Sequence, residues 1–143
     1  MNQFDWPIRV YYEDTDAGGV VYHSNYLNFM ERARTEWLRA LGFEQTTVKD
    51  ELGVIIVIHS LSINFKKPAY FNDMLTVNCA LSNIRHSSIE IAQTIKREGS
   101  LLIEAQVKAV FVDAATFKPV GIPAEIKQKM TPQTMIQIQQ EAL

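Results

Sequence analysis

The chain has 143 residues, of which 47% are hydrophobic and 21% are charged, and its formal net charge is −2. This length suits one domain and is too short for two cores of ordinary size, and the composition gives no sign of disorder. The 14 basic residues are scattered along the chain, which argues against nucleic acid as a partner. The single cysteine, Cys79, excludes an intrachain disulfide and a zinc site built from several thiolates.

The first residues predict a protein without a secretory signal. The opening MNQFDWPIRVYYED carries acidic residues early and lacks the basic start and the apolar stretch of a signal peptide. No hydrophobic run reaches the length of a membrane span. We therefore expect a cytoplasmic location and no membrane span.

The first predicted element is a short strand over residues 7–12, which are mostly β-branched or aromatic. It runs into a stretch that contains Asp14, Asp16 and the paired glycines Gly18 and Gly19. Acidic residues beside glycines favour a loop. The sequence therefore predicts an acidic cluster at the exit of a strand.

A long amphipathic helix is predicted from about Ser24 to Leu41. Its apolar face would be formed by Tyr26, Met30, Ala33 and Trp37. Ser24 or Asn25 would cap the start of the helix, and Gly42 would end it. A shorter helix is predicted over residues 45–52.

Four strands are predicted after Gly53, because the hydrophobic pattern then alternates with period two. One face of the first of these strands would carry Val57, His59, Leu61, Ile63 and Phe65. Turn residues at Asn72-Asp73 and at Glu98-Gly99 connect the strands in antiparallel fashion. The order of elements predicts an α+β fold, a five-stranded antiparallel sheet over one long helix, whose edges favour self-association. The tail after residue 123 is predicted to contain one or two weakly amphipathic helices.

The candidate active site is the stretch in which the acidic loop leads into the long helix. Unpaired N–H groups and the positive end of the dipole at a helix start can polarise a carbonyl or hold an oxyanion. The Asp16 carboxylate lies seven residues before His23 and could fold back over that point. Thioester hydrolysis needs only these two parts, because a thiolate with a pKa of roughly 8.5 leaves without being protonated.

Several of these residues have structural interpretations as well. Asp14 and Asp16 could serve only the turn by binding local backbone N–H groups. A hard-cation site of Glu13 and these two aspartates would lack further ligands at suitable spacing, so no metal is expected. His23 could merely cap or pack the helix, and Glu31 could be a second carboxylate or an ion-paired surface residue.

Five residues of the predicted strands also allow a structural interpretation. Lys66 and Lys67 end a strand and could meet anionic phosphates, or could only discourage edge pairing. Cys79 is interpreted as a small buried hydrophobic residue, and Gln93 interrupts an otherwise apolar strand face. His59 is assigned to a strand surface.

Three segments of the chain resemble the acyl-CoA thioesterases of the 4-hydroxybenzoyl-CoA thioesterase family. They are VYYEDTDAGGVVYHSNY from Val10, ERARTE from Glu31 and FKKPA from Phe65. Within the family they look most like the branch associated with the bacterial Tol-Pal system. The resemblance extends over nearly the full chain.

The resemblance implies a hotdog fold, in which a five-stranded antiparallel sheet wraps around one long central helix in a single domain of residues 1–143. Sites in this family lie between two subunits of a homodimer or homotetramer. The motif assigns the catalytic carboxylate to Asp16, as nucleophile or general base, and the carbonyl-polarising N–H to His23. The substrate-binding residues would be Tyr12, Gly19, Ser24, Asn25, Lys66 and Lys67.

The leading functional hypothesis is hydrolysis of short-chain or aromatic acyl-CoA, without a cofactor. Thioesters of acyl carrier protein are further candidate substrates. An enoyl-thioester dehydratase of the same fold and a non-catalytic acyl-thioester-binding scaffold are the alternatives. Only hydrolysis would release a free thiol.

Overall fold

The structure is a computed structural model and describes residues 3–131. Its five strands form one antiparallel sheet in the order β1-β3-β4-β5-β2. In chain order the elements are β1 (Gln3–Arg9), a 3-10 turn (Tyr12–Asp14), α1 (Asn25–Ala40), α2 (Gln45–Leu52), β2 (Val54–Phe65), β3 (Met74–Ile84), β4 (Ser88–Arg97), β5 (Ser100–Asp113) and α3 (Ala124–Met130). The predicted α+β fold with a five-stranded antiparallel sheet is confirmed.

Strand β1 differs from its prediction at both ends. It starts at Gln3 and ends at Arg9, whereas the sequence predicts residues 7–12. Val10 leaves the ladder because its N–H donates to the carbonyl of Asp73 and its carbonyl accepts from the N–H of Asn72, both at 2.9 Å. The acidic stretch is therefore reached through the 3-10 turn and does not follow directly from a strand.

Helix α1 has 16 residues and is the longest helix within residues 3–131. Phe29, Met30 and Ala33 are fully buried in the core between this helix and the sheet. Ser24 occupies the N-cap position as predicted, but its side chain makes no capping hydrogen bond. The predicted end is confirmed, since Gly42 follows the helix with φ +100°, a conformation that glycine adopts easily.

Strand β2 contains a bulge that the alternating pattern does not reveal. Ile58 pairs with Ala109 but Ser60 pairs with Lys108, so His59 is the extra residue. Before the bulge, Ile56 and Ile58 lie opposite the buried Phe111 and Ala109 of β5; after it, the odd-numbered Leu61 and Ile63 lie opposite the buried Val107 and Ala105. The prediction that Val57 shares a face with the later odd-numbered residues is therefore wrong.

The remaining helices add to the same core. Val48 of α2 and Ile126 and Met130 of α3 are buried in it. Helix α3 confirms one helix in the tail, while residues 132–143 lie outside the described part. Within residues 3–131, no helix combines the length and hydrophobicity that a bilayer-spanning segment requires.

Candidate active site

The part of the acidic stretch that follows Asp14 forms a tight loop between the 3-10 turn and α1. The Asp16 N–H donates to the carbonyl of Val20 at 2.9 Å, and the Gly19 N–H donates to the carbonyl of Asp16 at 3.0 Å. Gly19 has φ +82°, which favours glycine. Thr15 and Val21 pair across the base of the loop. The loop is therefore a small closed hairpin held by backbone hydrogen bonds.

Asp14 holds this loop to the rest of the fold. Its side chain is buried, with 6% exposed. Oδ2 accepts the Tyr11 N–H at 2.8 Å and Oδ1 accepts the Asn25 side-chain amide at 2.7 Å. Asp14 thus joins the segment after β1 to the first residue of α1, as the structural interpretation of this residue predicts.

Asp16 differs from Asp14 in that its side chain is exposed. Oδ1 accepts the Gly18 N–H at 2.8 Å, so one oxygen takes part in the turn. A Cβ at Gly18 would lie 3.2 Å from that oxygen, and the glycine therefore leaves room for this approach. Oδ2 accepts no hydrogen bond from residues 3–131. Oδ2 can therefore interact with a substrate or a water molecule.

A cleft lies at the start of α1 and has a volume of about 280 Å³. Three residues singled out in the sequence, His23, Lys66 and Lys67, line it together. Its other lining residues are Val21, Tyr26, Phe65 and Pro68. The His23 backbone N–H makes no hydrogen bond within the described residues. We call this space the helix-start cleft.

Tyr26 fixes the wall of the helix-start cleft, a role that the sequence did not reveal. Its hydroxyl oxygen accepts the Ala69 N–H at 3.0 Å. Burial raises the pKa of Tyr26, so its hydroxyl stays protonated at neutral pH. This contact joins the segment after β2 to the first turn of α1. The sequence does not indicate this role of the Tyr26 hydroxyl, because Tyr26 also fits the apolar pattern of the helix.

The remaining predicted binding residues do not line this cleft. Tyr12 is 75% exposed and stacks on Phe71 with ring centroids 3.8 Å apart. Gly19 lies in the loop, and Ser24 is an exposed residue before α1. The Asn25 side chain binds Asp14, so its role here is to hold the loop.

The two lysines lie at the rim of the cleft with weak local partners. Lys66 Nζ is 3.5 Å from Glu104 Oε2, and Lys67 Nζ donates to Ser100 Oγ at 3.2 Å. All these side chains except Ser100 are well exposed, so the ion pair contributes little to stability. The rim therefore presents positive charge to a ligand.

The other sequence candidates lie away from the cleft. Glu31 is exposed and accepts the Thr35 hydroxyl at 3.2 Å. Cys79 is buried, and this burial raises the pKa of its thiol to about 12, as expected of a hydrophobic residue and not of a nucleophile. Among residues 3–131, no three His, Cys, Asp or Glu side chains are grouped to hold a metal ion.

Comparisons with known proteins agree on one family. Residues 10–130 match the thioesterase-like superfamily. The chain is 45% identical over 126 residues to the acyl-CoA thioesterase YbgC of Haemophilus influenzae, covering 88% of this chain and 93% of that protein. A probable thioesterase from Bartonella henselae has a TM-score of 0.81 at 34% identity, covering 85% of this chain and 99% of the other. The 4-hydroxybenzoyl CoA thioesterase of Pseudomonas sp. strain CBS-3 shares the fold, with a TM-score of 0.84, 20% identity, and coverage of 90% and 99%.

Proposed function

The chain belongs to the thioesterase-like superfamily and is an acyl-CoA thioester hydrolase, and from this premise we propose that Asp16 is its catalytic carboxylate. The carboxylate acts as nucleophile or as general base. The amides at the start of α1, with the His23 N–H foremost, polarise the thioester carbonyl. The acyl groups are short-chain or aromatic.

The reaction requires one carboxylate and one set of N–H donors for the carbonyl oxygen. Attack on the thioester carbonyl, by Asp16 or by a water that it deprotonates, moves negative charge onto the carbonyl oxygen. The His23 N–H, which makes no hydrogen bond within residues 3–131, and the positive end of the α1 dipole stabilise that charge. The CoA thiolate then leaves and takes up a proton. Where Asp16 itself attacks, the acyl group remains on Asp16 as a mixed anhydride, which water hydrolyses to free the carboxylate. By either route the products are a carboxylic acid and the free thiol.

One observation carries the choice of carboxylate. Both oxygens of Asp14 are bound by the protein's own N–H groups, whereas Asp16 is exposed and has one oxygen without a hydrogen bond from residues 3–131. A carboxylate that reacts with substrate or water needs such an accessible oxygen. The bond from Gly18 fixes the other oxygen and so orients the group.

A second copy of the chain completes the active site in this proposal. Asp16 does not line the helix-start cleft of its own chain, although both belong to the same motif. Strand β2 lies at an edge of the sheet and exposes the apolar side chains of Ile58, Leu61 and Phe65. An edge of this kind favours pairing with another chain. We propose a homodimer or homotetramer with sites between subunits.

The finer assignments rest on the sequence and on the resemblance. They are activity on thioesters of acyl carrier protein, association with the Tol-Pal system, a cytoplasmic location and a single domain over residues 1–143. Each stays a prediction. The first is tested directly by adding acylated carrier protein to the substrates below.

The function is tested by measuring thiol release from a panel of acyl-CoAs with a chromogenic disulfide reagent. We expect release of CoA and of the free acid, fastest with short-chain or aromatic acyl groups. The protein adds no background, because the thiol of Cys79 is buried and has a pKa of about 12. Hydration of an enoyl-CoA without thiol release would favour the dehydratase, and binding without turnover would favour the scaffold.

Replacing Lys66 and Lys67 together with Ala is expected to raise KM roughly tenfold for acyl-CoA and to leave kcat nearly unchanged, because about 1.4 kcal/mol of phosphate attraction is lost. The dependence of KM on salt should also weaken. A matched control is the double change of Lys49 and Lys118 to Ala, two exposed lysines away from the cleft. Equal KM values for the two double variants would remove the rim lysines from substrate binding.

A further inference from the structure

Ala69 is hydrogen-bonded to the chain on both sides of His23. It lies in the connection from β2 to β3, residues 66–73, which we call the β2–β3 loop. The Val21 N–H, shortly before His23, donates to the Ala69 carbonyl at 2.9 Å. The Ala69 N–H donates to the hydroxyl oxygen of Tyr26, shortly after His23, at 3.0 Å. One buried residue of a distant segment therefore holds the backbone that carries the His23 N–H.

Two further hydrogen bonds fix the backbone beside His23. The Tyr22 N–H donates to the carbonyl of Asp14 at 3.0 Å, and the Asn25 N–H donates to the carbonyl of Tyr22 at 2.8 Å. The His23 N–H itself makes no hydrogen bond within the described part of the chain. A donor stabilises developing charge best when it is in place before the reaction. These bonds, together with those of Ala69, supply that preorganisation.

Arg97, the last residue of β4, contacts the β2–β3 loop on both sides of Ala69. Its Nη1 donates to the Pro68 carbonyl at 3.2 Å and to Asp73 Oδ2 at 2.7 Å. Its guanidinium carbon lies 5.6 Å from the centre of the Tyr70 ring, within the range of a cation–π contact. One guanidinium therefore joins the two ends of the segment that contains Ala69.

Asp73 connects Arg97 to the backbone next to Ala69. The Oδ2 atom that binds Arg97 also accepts the Tyr70 N–H at 2.8 Å, and the Asp73 N–H donates to the Tyr70 carbonyl at 3.1 Å. The Asp73 and Arg97 side chains are 21% and 27% exposed, so water screens their ion pair less than one between fully exposed groups. The turn that follows Ala69 is thus closed around a charge-assisted hydrogen bond.

We propose that Tyr26 and Arg97 are positioning residues for the carbonyl-polarising N–H of His23, which they hold through the β2–β3 loop. Tyr26 binds Ala69 from the side of α1, and Arg97 binds the same loop from the side of the sheet. Arg97 does not line the helix-start cleft, so it acts only through the loop. The inference rests on the proposed function, because it needs a thioester carbonyl at the start of α1.

Carbonyl polarisation can be measured without turnover. In an Asp16→Asn protein, bound benzoyl-CoA stays intact, and isotope-edited infrared spectroscopy gives the stretching frequency of its thioester carbonyl. A hydrogen bond to the carbonyl oxygen lowers this frequency, so we expect binding to lower it. Adding Tyr26→Phe or Arg97→Met should reverse most of that change. A residue needed only for stability would alter the amount of bound ligand and not its frequency.

Kinetics of the protein with Asp16 in place give a second measurement. Tyr26→Phe and Arg97→Met should each lower kcat for benzoyl-CoA at least about tenfold and change KM by less than about twofold. Arg97→Lys should restore part of kcat, because lysine keeps the charge near Asp73 but lacks the planar group that also reaches Pro68. The two changes together should lower kcat by less than the product of their single effects, since both loosen one loop.

Tyr11→Phe and Lys96→Met are the matched controls, because both side chains are exposed and Lys96 is the neighbour of Arg97 on β4. Both should leave the carbonyl frequency and kcat unchanged. If Arg97→Met does not fold, Arg97→Lys replaces it in the infrared measurement and should reverse a smaller part of the change.

Two results would overturn this inference alone. They are a lowered carbonyl frequency that Tyr26→Phe and the Arg97 variant leave in place, and equal kcat values for the Arg97 variant and Lys96→Met. A carbonyl frequency that binding to the Asp16→Asn protein does not lower would instead overturn the proposed carbonyl site, and this inference with it.

Discussion

Asn in place of Asp16 is expected to lower kcat for acyl-CoA hydrolysis roughly a thousandfold, equivalent to about 4 kcal/mol of transition-state stabilisation. The substitution removes the negative charge but keeps a side-chain oxygen that accepts the Gly18 N–H. The loop should therefore keep its shape. We expect the free energy of unfolding to change by less than about 0.5 kcal/mol, as is usual for an exposed site.

Thiol-release kinetics and urea unfolding measure the two effects separately. Glu13→Gln is the matched control, because Glu13 is an exposed acid in the same stretch. An Asp16→Asn protein with near-native kcat would refute the assignment of the catalytic carboxylate. Glu31, the exposed acid on α1, would then be the next residue to replace.

Asp14→Ala is expected to destabilise the protein, with a loss of roughly 3 kcal/mol in the free energy of unfolding. Hydrogen bonds to a charged group contribute about 1.5–3 kcal/mol each, and two are lost here. The Tyr11 N–H and the Asn25 amide lose their acceptor, and their positions are only partly accessible to water. The loop would also lose its link to α1, so kcat should fall together with stability.

Urea unfolding followed by circular dichroism gives the size of this loss. Glu13→Ala controls for the removal of a neighbouring acid and should cost less than about 0.5 kcal/mol. Asp14→Asn should fall between the two, because its single oxygen replaces one of the two acceptors. A loss below about 1 kcal/mol for Asp14→Ala would mean that the two hydrogen bonds do not hold the loop.

The sequence pattern predicted which helices and strands exist better than it predicted where they begin, end or bulge. Residues 10–12 have strong strand propensity, yet the chain leaves the sheet at Val10 because the turn at Asn72 and Asp73 takes its backbone hydrogen bonds. That turn lies some sixty residues away, so local propensity carries no sign of it. The bulge at His59 was hidden for a different reason: residues 54–58 are all apolar, and an unbroken apolar run does not reveal which face a residue occupies.

The candidate site could be located from the sequence. The sequence pattern could not show which of its two aspartates is structural and which is the candidate catalytic residue. Asp14 and Asp16 are two residues apart in the same glycine-containing stretch and have the same local chemistry. Their difference in burial depends on Asn25, which was expected to cap α1 or bind substrate and instead binds Asp14. The resemblance to a family singled out Asp16, and the hydrogen bonds supply a physical reason for that choice.

The order of strands in the sheet affects how the chain folds during synthesis. The two strands that leave the ribosome first, β1 and β2, are the two outermost strands of the finished sheet. Their neighbours come much later, since Gln3 pairs with Ala80 and Val54 pairs with Asp113. During synthesis β1 remains unpaired until β3 has emerged, and β2 until β5 has emerged. Over that interval the apolar strand β2 is open to misassociation with other nascent chains. We expect folding in the cell to be limited by this delay and to benefit from chaperones that cover β2.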